Sequence, residues 1–297
     1  MEQTPADVRG FFVNKGITEF KIIEYNEWKG RYCFQFRYGS RDYFLKWNEK
    51  TPQYISHYES LRLEESLYHM LEGQGIVPKT IDINDPDEFF VSDYISNAMT
   101  LREKIKNLLS TDDIAEIERI VKETLIKWDK LVTIVNSDEI HKVELKKNDN
   151  NLFFVYLDSL LCSGPMGTSS SFIQRKRNAV LKRAYKLIKS KKIISKIDSV
   201  YPSGFPVIHG DFHANNVIAG NDSIYIIDLE NCRFGAPEVE LAYFYAQISL
   251  LLNDKKELLK CFDMFIMEKM SMLTDMGLFW RIYQIFFRVV KLNRRFY

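Results

Sequence analysis

The first 50 residues of the chain carry the pattern of β-strands. Segments 20–25, 32–38 and 43–47 are rich in aromatic and β-branched residues, and 32–38 alternates large and polar side chains. Short polar segments containing Asn, Gly, Ser and Asp separate them. Alternation with a period of two is typical of half-buried strands, and short connections join such strands into antiparallel meanders. The pattern therefore predicts an antiparallel sheet at the start of the chain.

Helical periodicity becomes dominant further along the chain. Apolar residues recur at helical spacing over 55–71, a short apolar strand follows at 89–91, and a long helical pattern covers 114–135. The chain is therefore expected to be an α+β protein, with a small antiparallel β lobe containing one helix and a larger, mostly helical lobe. The predicted boundary separates residues 1–95 from residues 96–297.

Composition narrows the class of protein. The chain has 41 basic and 40 acidic residues and is 46% hydrophobic, so general disorder and a dedicated nucleic-acid partner are both disfavoured. Its apolar runs are shorter than the roughly 20 residues that cross a bilayer, and its start lacks the features of a secretory signal. Scattered cysteines without a CxxC pair favour reduced thiols and a cytoplasmic location. The basic segment 175–196 is interpreted as a solvated helix face rather than a phosphate patch.

The most informative segment is HGDFHANN at 209–216, followed by IIDLE at 226–230. Two apolar strands around a polar turn predict a hairpin, which brings Asn216 and Asp228 together and leaves Asp211 on the same rim. Phosphoryl transfer requires a carboxylate that orients and deprotonates the attacking hydroxyl, and hard oxygen ligands for Mg²⁺. Asp211 fits the first role, and Asp228 with the Asn216 carbonyl oxygen fits the second.

This text resembles the catalytic signature of the aminoglycoside phosphotransferase and choline kinase-like superfamily, whose members are relatives of the protein kinases. Both spacings agree, with five residues from Asp211 to Asn216 and seventeen from Asp211 to Asp228. The resemblance implies a two-lobed protein kinase-like fold with ATP in the cleft. It also implies transfer of the γ-phosphate to a hydroxyl of a small molecule, such as an aminoglycoside-like antibiotic, a choline-like amino alcohol or a sugar.

The resemblance implies further site residues upstream. Lys46, in YFLKW, occupies the place of the strand lysine that holds the α- and β-phosphates. A helix glutamate pairs with this lysine; Glu64 is the first choice and Glu65 the alternative. The segment that includes Asp93 and Ile95 resembles the hinge whose backbone groups pair with the adenine edge.

Some positions depart from the family pattern, and others have more than one expected role. The nucleotide-covering turn at 26–31 has a single glycine, and Glu240 stands where the family usually has aspartate, in a contact expected to be structural. His209 is expected to orient its loop rather than transfer protons. His213 is either a supporting contact or a group facing the substrate. Glu230 is either a metal ligand or a cap of the strand end, and the structural role is favoured.

Two alternatives to a small-molecule kinase are compatible with the same sequence motif. One is a catalytically silent relative that binds a nucleotide or a partner, like the spore-coat proteins of the superfamily, although the complete set of site residues argues against a dead site. The other is a protein kinase, which the missing HRD, DFG and APE segments disfavour. The expected partner is a small-molecule hydroxyl substrate, without nucleic acid or membrane. Substrate identity, ATP or GTP preference and oligomeric state stay open.

Overall fold

The structure is a computed structural model. It describes residues 4–53, 55–81, 89–137, 192–220, 223–252, 254–269 and 275–294, together with isolated positions between 145 and 188. Most of the basic segment 175–196 lies outside the described residues.

The N-terminal lobe is built on a four-stranded antiparallel sheet in the order β1, β2, β3, β4. The strands span Phe20–Asn26, Arg31–Tyr38, Arg41–Asn48 and Phe90–Asp93. Successive side chains of a strand point to opposite faces, and β3 shows the consequence. Leu45 and Trp47 are buried in the core of this lobe, while Lys46 between them lines a cavity on the other face.

A helix that the pattern did not predict covers the core face of this sheet. Helix α1 (Ala6–Asn14) buries Phe11 and Phe12, and the Phe12 ring lies 5.7 Å from that of Phe34. The helix is nine residues long, contains Gly10 and has no side-chain N-cap, so its local signal is weak. Its aromatic packing stabilises it instead, and the lobe contains α1 in addition to the one helix expected.

The second helix of this lobe is α2 (Ile55–Met70), where the apolar spacing predicts it. Leu67 and Tyr68 are buried, and the Tyr68 ring packs edge-on against Phe90 of β4 at 4.7 Å. Glu64 lies one helical turn before Tyr68 and therefore points in the same direction, toward the cavity.

The C-terminal lobe is mostly helical, as the sequence predicts. Its described helices are α3 (Leu101–Ser110), α4 (Ile114–Val135), α5 (Ile193–Val200), α6 (Pro237–Leu251), α7 (Lys256–Lys269) and α8 (Met276–Arg294). Helix α6 is buried on nearly all sides and forms the centre of the lobe. No helix of the described residues has both the length and the apolar character that a bilayer crossing requires.

Short strands of the C-terminal lobe frame the segment that carries the motif. Strands β7 (Val217–Ala219) and β8 (Ile224–Ile226) form the antiparallel hairpin, and β5 (Met99–Thr100) pairs with β7. Strand β6 (Val207–Ile208) pairs with β9 (Arg233–Phe234). The loop 209–216 therefore connects β6 to β7, and Asp228 lies just after β8. Both segments are anchored at each end by strands.

Candidate active site

A cavity of about 480 Å³ lies between the sheet of the N-terminal lobe and the hairpin of the C-terminal lobe. Six of the predicted site residues line it: Lys46, Glu64, Asp93, Ile95, Asn216 and Asp228. Asp211 is not among the lining residues, but it contacts one of them, because the Asn216 amide donates to the Asp211 backbone carbonyl at 3.0 Å. The tertiary structure thus gathers residues separated by up to 182 positions in the chain.

Lys46 is the centre of a buried ionic cluster. Its ammonium group lies 2.6 Å from Glu64 Oε2 and 2.7 Å from Asp228 Oδ1. Burial alone would lower the pKa of Lys46, but the surrounding carboxylates, Asp228 first, raise it well above its ordinary value. Glu65, the alternative partner, lies instead near Arg62, 3.9 Å from its guanidinium.

Asp228 is held in an unusual backbone conformation. Its φ is 66°, in the left-handed region that non-glycine residues seldom adopt. The other oxygen of Glu64 accepts a hydrogen bond from the Leu229 backbone N–H at 3.2 Å, so α2 fixes the chain just after this residue. Burial would raise the pKa of Asp228, but Lys46, followed by Arg31, lowers it well below the ordinary range. Asp228 is therefore ionised at neutral pH.

The loop 209–216 is tied down by its own histidines. His209 is fully buried; its Nδ1 accepts the Asp211 backbone N–H at 3.2 Å, which leaves Nε2 as the donor to the Ile227 carbonyl at 3.0 Å. The ring thus spans from the loop to the end of β8. This geometry agrees with the expected orienting role of His209.

Asp211 lies between two groups of the same loop. Its carboxylate has Asn216 Nδ2 at 3.5 Å on one oxygen and His213 Nε2 at 3.6 Å on the other. The Asn215 backbone N–H donates to His213 Nδ1 at 3.2 Å, so the proton of a neutral ring faces Asp211. Burial raises the pKa of Asp211, and the nearby histidines oppose this only in part. His213 therefore supports Asp211.

Glu240 anchors the start of the same loop through hydrogen bonds to its backbone. Its fully buried carboxylate accepts the backbone N–H groups of His209 at 3.2 Å and Gly210 at 2.6 Å. The indole N–H of Trp128 donates to it as well, at 2.8 Å. The carboxylate thus joins α6 and α4 to the loop that carries Asp211.

Comparisons with known proteins found one matching family model and several similar folds. The model of the phosphotransferase enzyme family (APH) matches residues 171–254, which include the loop 209–216 and Asp228. The fold is similar to that of a thermostable mutant of aminoglycoside phosphotransferase APH(4)-Ia, with a TM-score of 0.54 at 14% identity, covering 96% of this chain and 90% of that chain. Another structure of APH(4)-Ia gives 0.50 at 15% identity, covering 98% and 99%.

Choline kinase LicA from Streptococcus pneumoniae matches with a TM-score of 0.45 at 15% identity, covering 98% of this chain and 100% of that chain. No curated protein matched the sequence. The family match and the APH(4)-Ia fold agree with the resemblance first found in the motif. Over residues 171–254 the chain is therefore similar to the phosphotransferase enzyme family, and its fold is similar to that of aminoglycoside phosphotransferase APH(4)-Ia.

The turn at 26–31, which has a single glycine, carries two cations, Lys29 and Arg31. Lys29 pairs with Glu230 Oε1 at 2.7 Å, and the Arg31 guanidinium contacts Glu230 Oε2 and lies 3.8 Å from Asp228 Oδ1. Sequence reasoning missed both cations. The only signal was the replacement of glycines by charged residues in this turn.

Glu230 joins the two lobes through these ion pairs. Burial alone would raise its pKa, but Lys46 and Arg31 lower it, so Glu230 carries a negative charge. This is a third role, different from the two that the sequence left open.

The residues around Asp228 fit a divalent cation. Oxygens of Glu64, Asp228 and Glu230 lie within 4.8 Å of one another, and Mg²⁺ prefers such hard donors. The Asn216 amide nitrogen is engaged with Asp211, which leaves its carbonyl oxygen available to a ligand in the cavity that Asn216 lines. The donor set is therefore compatible with the predicted metal pair, Asn216 and Asp228.

The segment predicted to be the hinge also contributes to the cavity lining. Asp93 and Ile95 both line it, and the Asp93 backbone N–H is already bonded to the Lys79 carbonyl at 2.8 Å. The Ile95 carbonyl accepts the Ala98 N–H at 3.3 Å. The cavity lining also includes the apolar residues Ile23, Phe44 and Ile218, and small-ligand sites are mostly apolar.

We expect Gly210→Ala to disable the loop. Gly210 has a φ of 82°, and an added Cβ would lie 1.9 Å from the Asn231 carbonyl oxygen. The neighbouring backbone must then move, so turnover should be lost and the urea midpoint should fall. Gly73→Ala is the matched control, because Gly73 has a φ of 74° and open space around it. It isolates the strain of the left-handed conformation, about 1–2 kcal/mol. If both variants lost turnover and stability equally, contact between the added Cβ and the Asn231 carbonyl oxygen could not be the cause.

Removing the carboxylate in Glu240→Ala should destabilise the protein strongly. The substitution leaves three buried N–H donors without a partner, and each costs about 1–3 kcal/mol. We expect a fall of roughly 3 kcal/mol or more in the free energy of unfolding, measured by urea titration. The control Glu257→Ala removes a carboxylate that is 86% exposed and should change stability by less than about 0.5 kcal/mol. Similar values for both variants would refute the anchoring role.

Proposed function

We propose that the protein is an ATP-dependent phosphotransferase that moves the γ-phosphate to a hydroxyl of a small molecule. The acceptor class is an aminoglycoside-like antibiotic, a choline-like amino alcohol or a sugar. The observation that carries this proposal is the convergence of Lys46, Glu64 and Asp228 at one cavity wall beside the Asp211–Asn216 loop. Phosphoryl transfer depends mainly on positioning and charge stabilisation, and this arrangement supplies both.

Residues 1–95 are proposed to form the nucleotide-binding lobe. Lys46 anchors the phosphates, and Glu64 orients its ammonium group from 2.6 Å. Backbone groups of Asp93 and Ile95, both in the cavity lining, pair with the adenine edge. The cavity volume of about 480 Å³ is within the range of small-ligand sites, about 300–1,000 Å³.

Residues 96–297 are proposed to supply the catalytic groups and the acceptor site. Asp228 and the Asn216 carbonyl oxygen hold Mg²⁺. When bound, this ion neutralises charge on the phosphates. Asp211 orients the acceptor hydroxyl and takes its proton, and the burial that raises its pKa makes the carboxylate a better base.

A substrate screen tests the proposal. The purified chain is incubated with Mg-ATP and separate panels of aminoglycosides, choline and ethanolamine, and sugars, with a coupled assay for ADP. Mass spectrometry then identifies an acceptor that has gained one phosphoryl group. Nucleotide binding without transfer to any acceptor would overturn the proposal in favour of the silent relative.

A further inference from the structure

Two backbone N–H groups of the turn at 26–31 are already bonded within the turn. Its 3₁₀ turn, Glu27–Lys29, is closed by the Asn26 side chain, which accepts the Lys29 N–H at 3.3 Å. The Gly30 N–H is bonded to the Glu27 carbonyl at 3.3 Å. A glycine-rich loop binds phosphates with free backbone N–H groups. The Lys29 and Gly30 N–H groups are thus engaged within the turn, which directs attention to its side chains as phosphate contacts.

The turn instead contributes cations to a balanced cluster. Among the described residues, three cations and three carboxylates meet at this wall of the cavity: Lys29, Arg31, Lys46, Glu64, Asp228 and Glu230. A divalent cation at Asp228 would take over one of the negative charges. The cluster then has positive charge in excess, which favours an anionic ligand beside it.

We propose that Lys29 is a phosphate-binding residue, which leaves Glu230 when a nucleotide enters and donates to the nucleotide's terminal phosphates. This inference rests on the proposed function only in that the cavity binds a nucleotide. It assigns the phosphate contact of the turn to one side chain.

Lys29 is the cation of the cluster that is able to move. Its side chain is 33% exposed, whereas those of Arg31 and Lys46 are 6% and 7% exposed. The Arg31 Nε–H is also fixed to Asn48 Oδ1 at 3.0 Å. A lysine has a flexible four-carbon stem with a compact charge, so it can change partners at little cost.

The position of Lys29 suits the end of a triphosphate. Lys29 lies 2.7 Å from Glu230 Oε1, and Lys46 lies 3.9 Å from Glu230 Oε2, so one carboxylate separates the two ammonium groups. A nucleotide anchored on Lys46 therefore extends its remaining phosphates within reach of Lys29. Arg31 stays with Glu230 after Lys29 departs, so no buried carboxylate loses its last cation.

The test compares nucleotides that differ in phosphate number. Isothermal titration calorimetry in Mg²⁺ measures adenosine, ADP and ATP binding to the full chain and to Lys29→Met. We expect the ATP dissociation constant to rise about tenfold, equivalent to ~1.4 kcal/mol, with ADP affected less and adenosine changed by less than about twofold. Lys29→Arg, which keeps the charge, should restore most of the ATP affinity.

Lys21→Met is the matched control, because Lys21 lies on β1 of the same hairpin but does not line the cavity. It should leave all three affinities unchanged. Equal or tighter ATP binding by Lys29→Met would overturn the proposal; tighter binding of adenosine and ATP alike would mean that Lys29 merely holds the cleft closed.

The two proposals fail in different ways. A wild-type chain that binds adenine nucleotides but transfers no phosphoryl group would overturn the proposed function and leave the role of Lys29 open to the same titrations. A wild-type chain that binds no adenine nucleotide would overturn both.

Discussion

Asp211→Asn should retain Mg-ATP binding while turnover falls by about 10²–10⁴-fold, the usual contribution of a positioned general base. The substitution keeps the shape of the side chain but removes its ability to accept the acceptor's proton. Asp211 lies beside the cavity rather than in its lining, so nucleotide affinity should not depend on its charge. Asp211→Ala should behave in the same way. Steady-state turnover and calorimetric ATP binding measure the two quantities separately.

The surface variant Asp198→Asn serves as the control for this experiment, because Asp198 is exposed on α5 and outside the cavity lining. It should match the wild type in both assays. Undiminished turnover in Asp211→Asn would exclude Asp211 as the base. Loss of ATP binding together with turnover would instead point to a collapsed site.

Asp228→Asn should reduce turnover at least as strongly as the loss of Asp211. Its carboxylate contacts Lys46 at 2.7 Å and belongs to the group of acidic oxygens within 4.8 Å that fits a divalent cation. Without this charge, Mg²⁺ loses an anionic ligand. The negative charge of the phosphoryl group being transferred is then less well neutralised. We also expect ATP affinity to become nearly independent of Mg²⁺, which titrations with and without the ion would reveal.

The same Asp198→Asn protein controls for the loss of one negative charge. Circular dichroism should confirm that Asp228→Asn is folded, since Lys46 keeps Glu64 as its partner. A wild-type dependence of ATP affinity on Mg²⁺ in the Asp228 variant would contradict the assignment. Retained turnover would contradict it independently.

Most of the fold could be predicted because its signals are local. The alternation in β2 and the apolar spacing of α2 and α4 match the observed elements closely. Helix α1 was missed because its stability comes from Phe11 and Phe12 packing on the sheet rather than from caps or propensity. Such packing depends on residues that are distant in the sequence, so no local pattern reports it.

In the candidate site, too, some features follow from local sequence and others depend on contacts between distant residues. Asp211, Asn216 and Asp228 lie in one short segment whose hairpin geometry can be read directly, and the family resemblance pointed to Lys46 and Glu64 upstream. The choice between Glu64 and Glu65 depends on the rotation of a helix by about 100°, which the pattern left open. The structure places Glu64 against Lys46.

The sequence by itself determined the α+β fold class, the order of most elements after helix α1 and the identity of the groups suited to phosphoryl transfer, since spacing and residue chemistry are properties of the chain alone. Only the tertiary structure decided which charges meet. Lys29 and Arg31 face Glu230 across about 200 residues, and Glu240 supports the loop of Asp211 from the centre of the helical lobe. Electrostatic energy depends on distance in space and on burial, and both are decided by how the lobes pack.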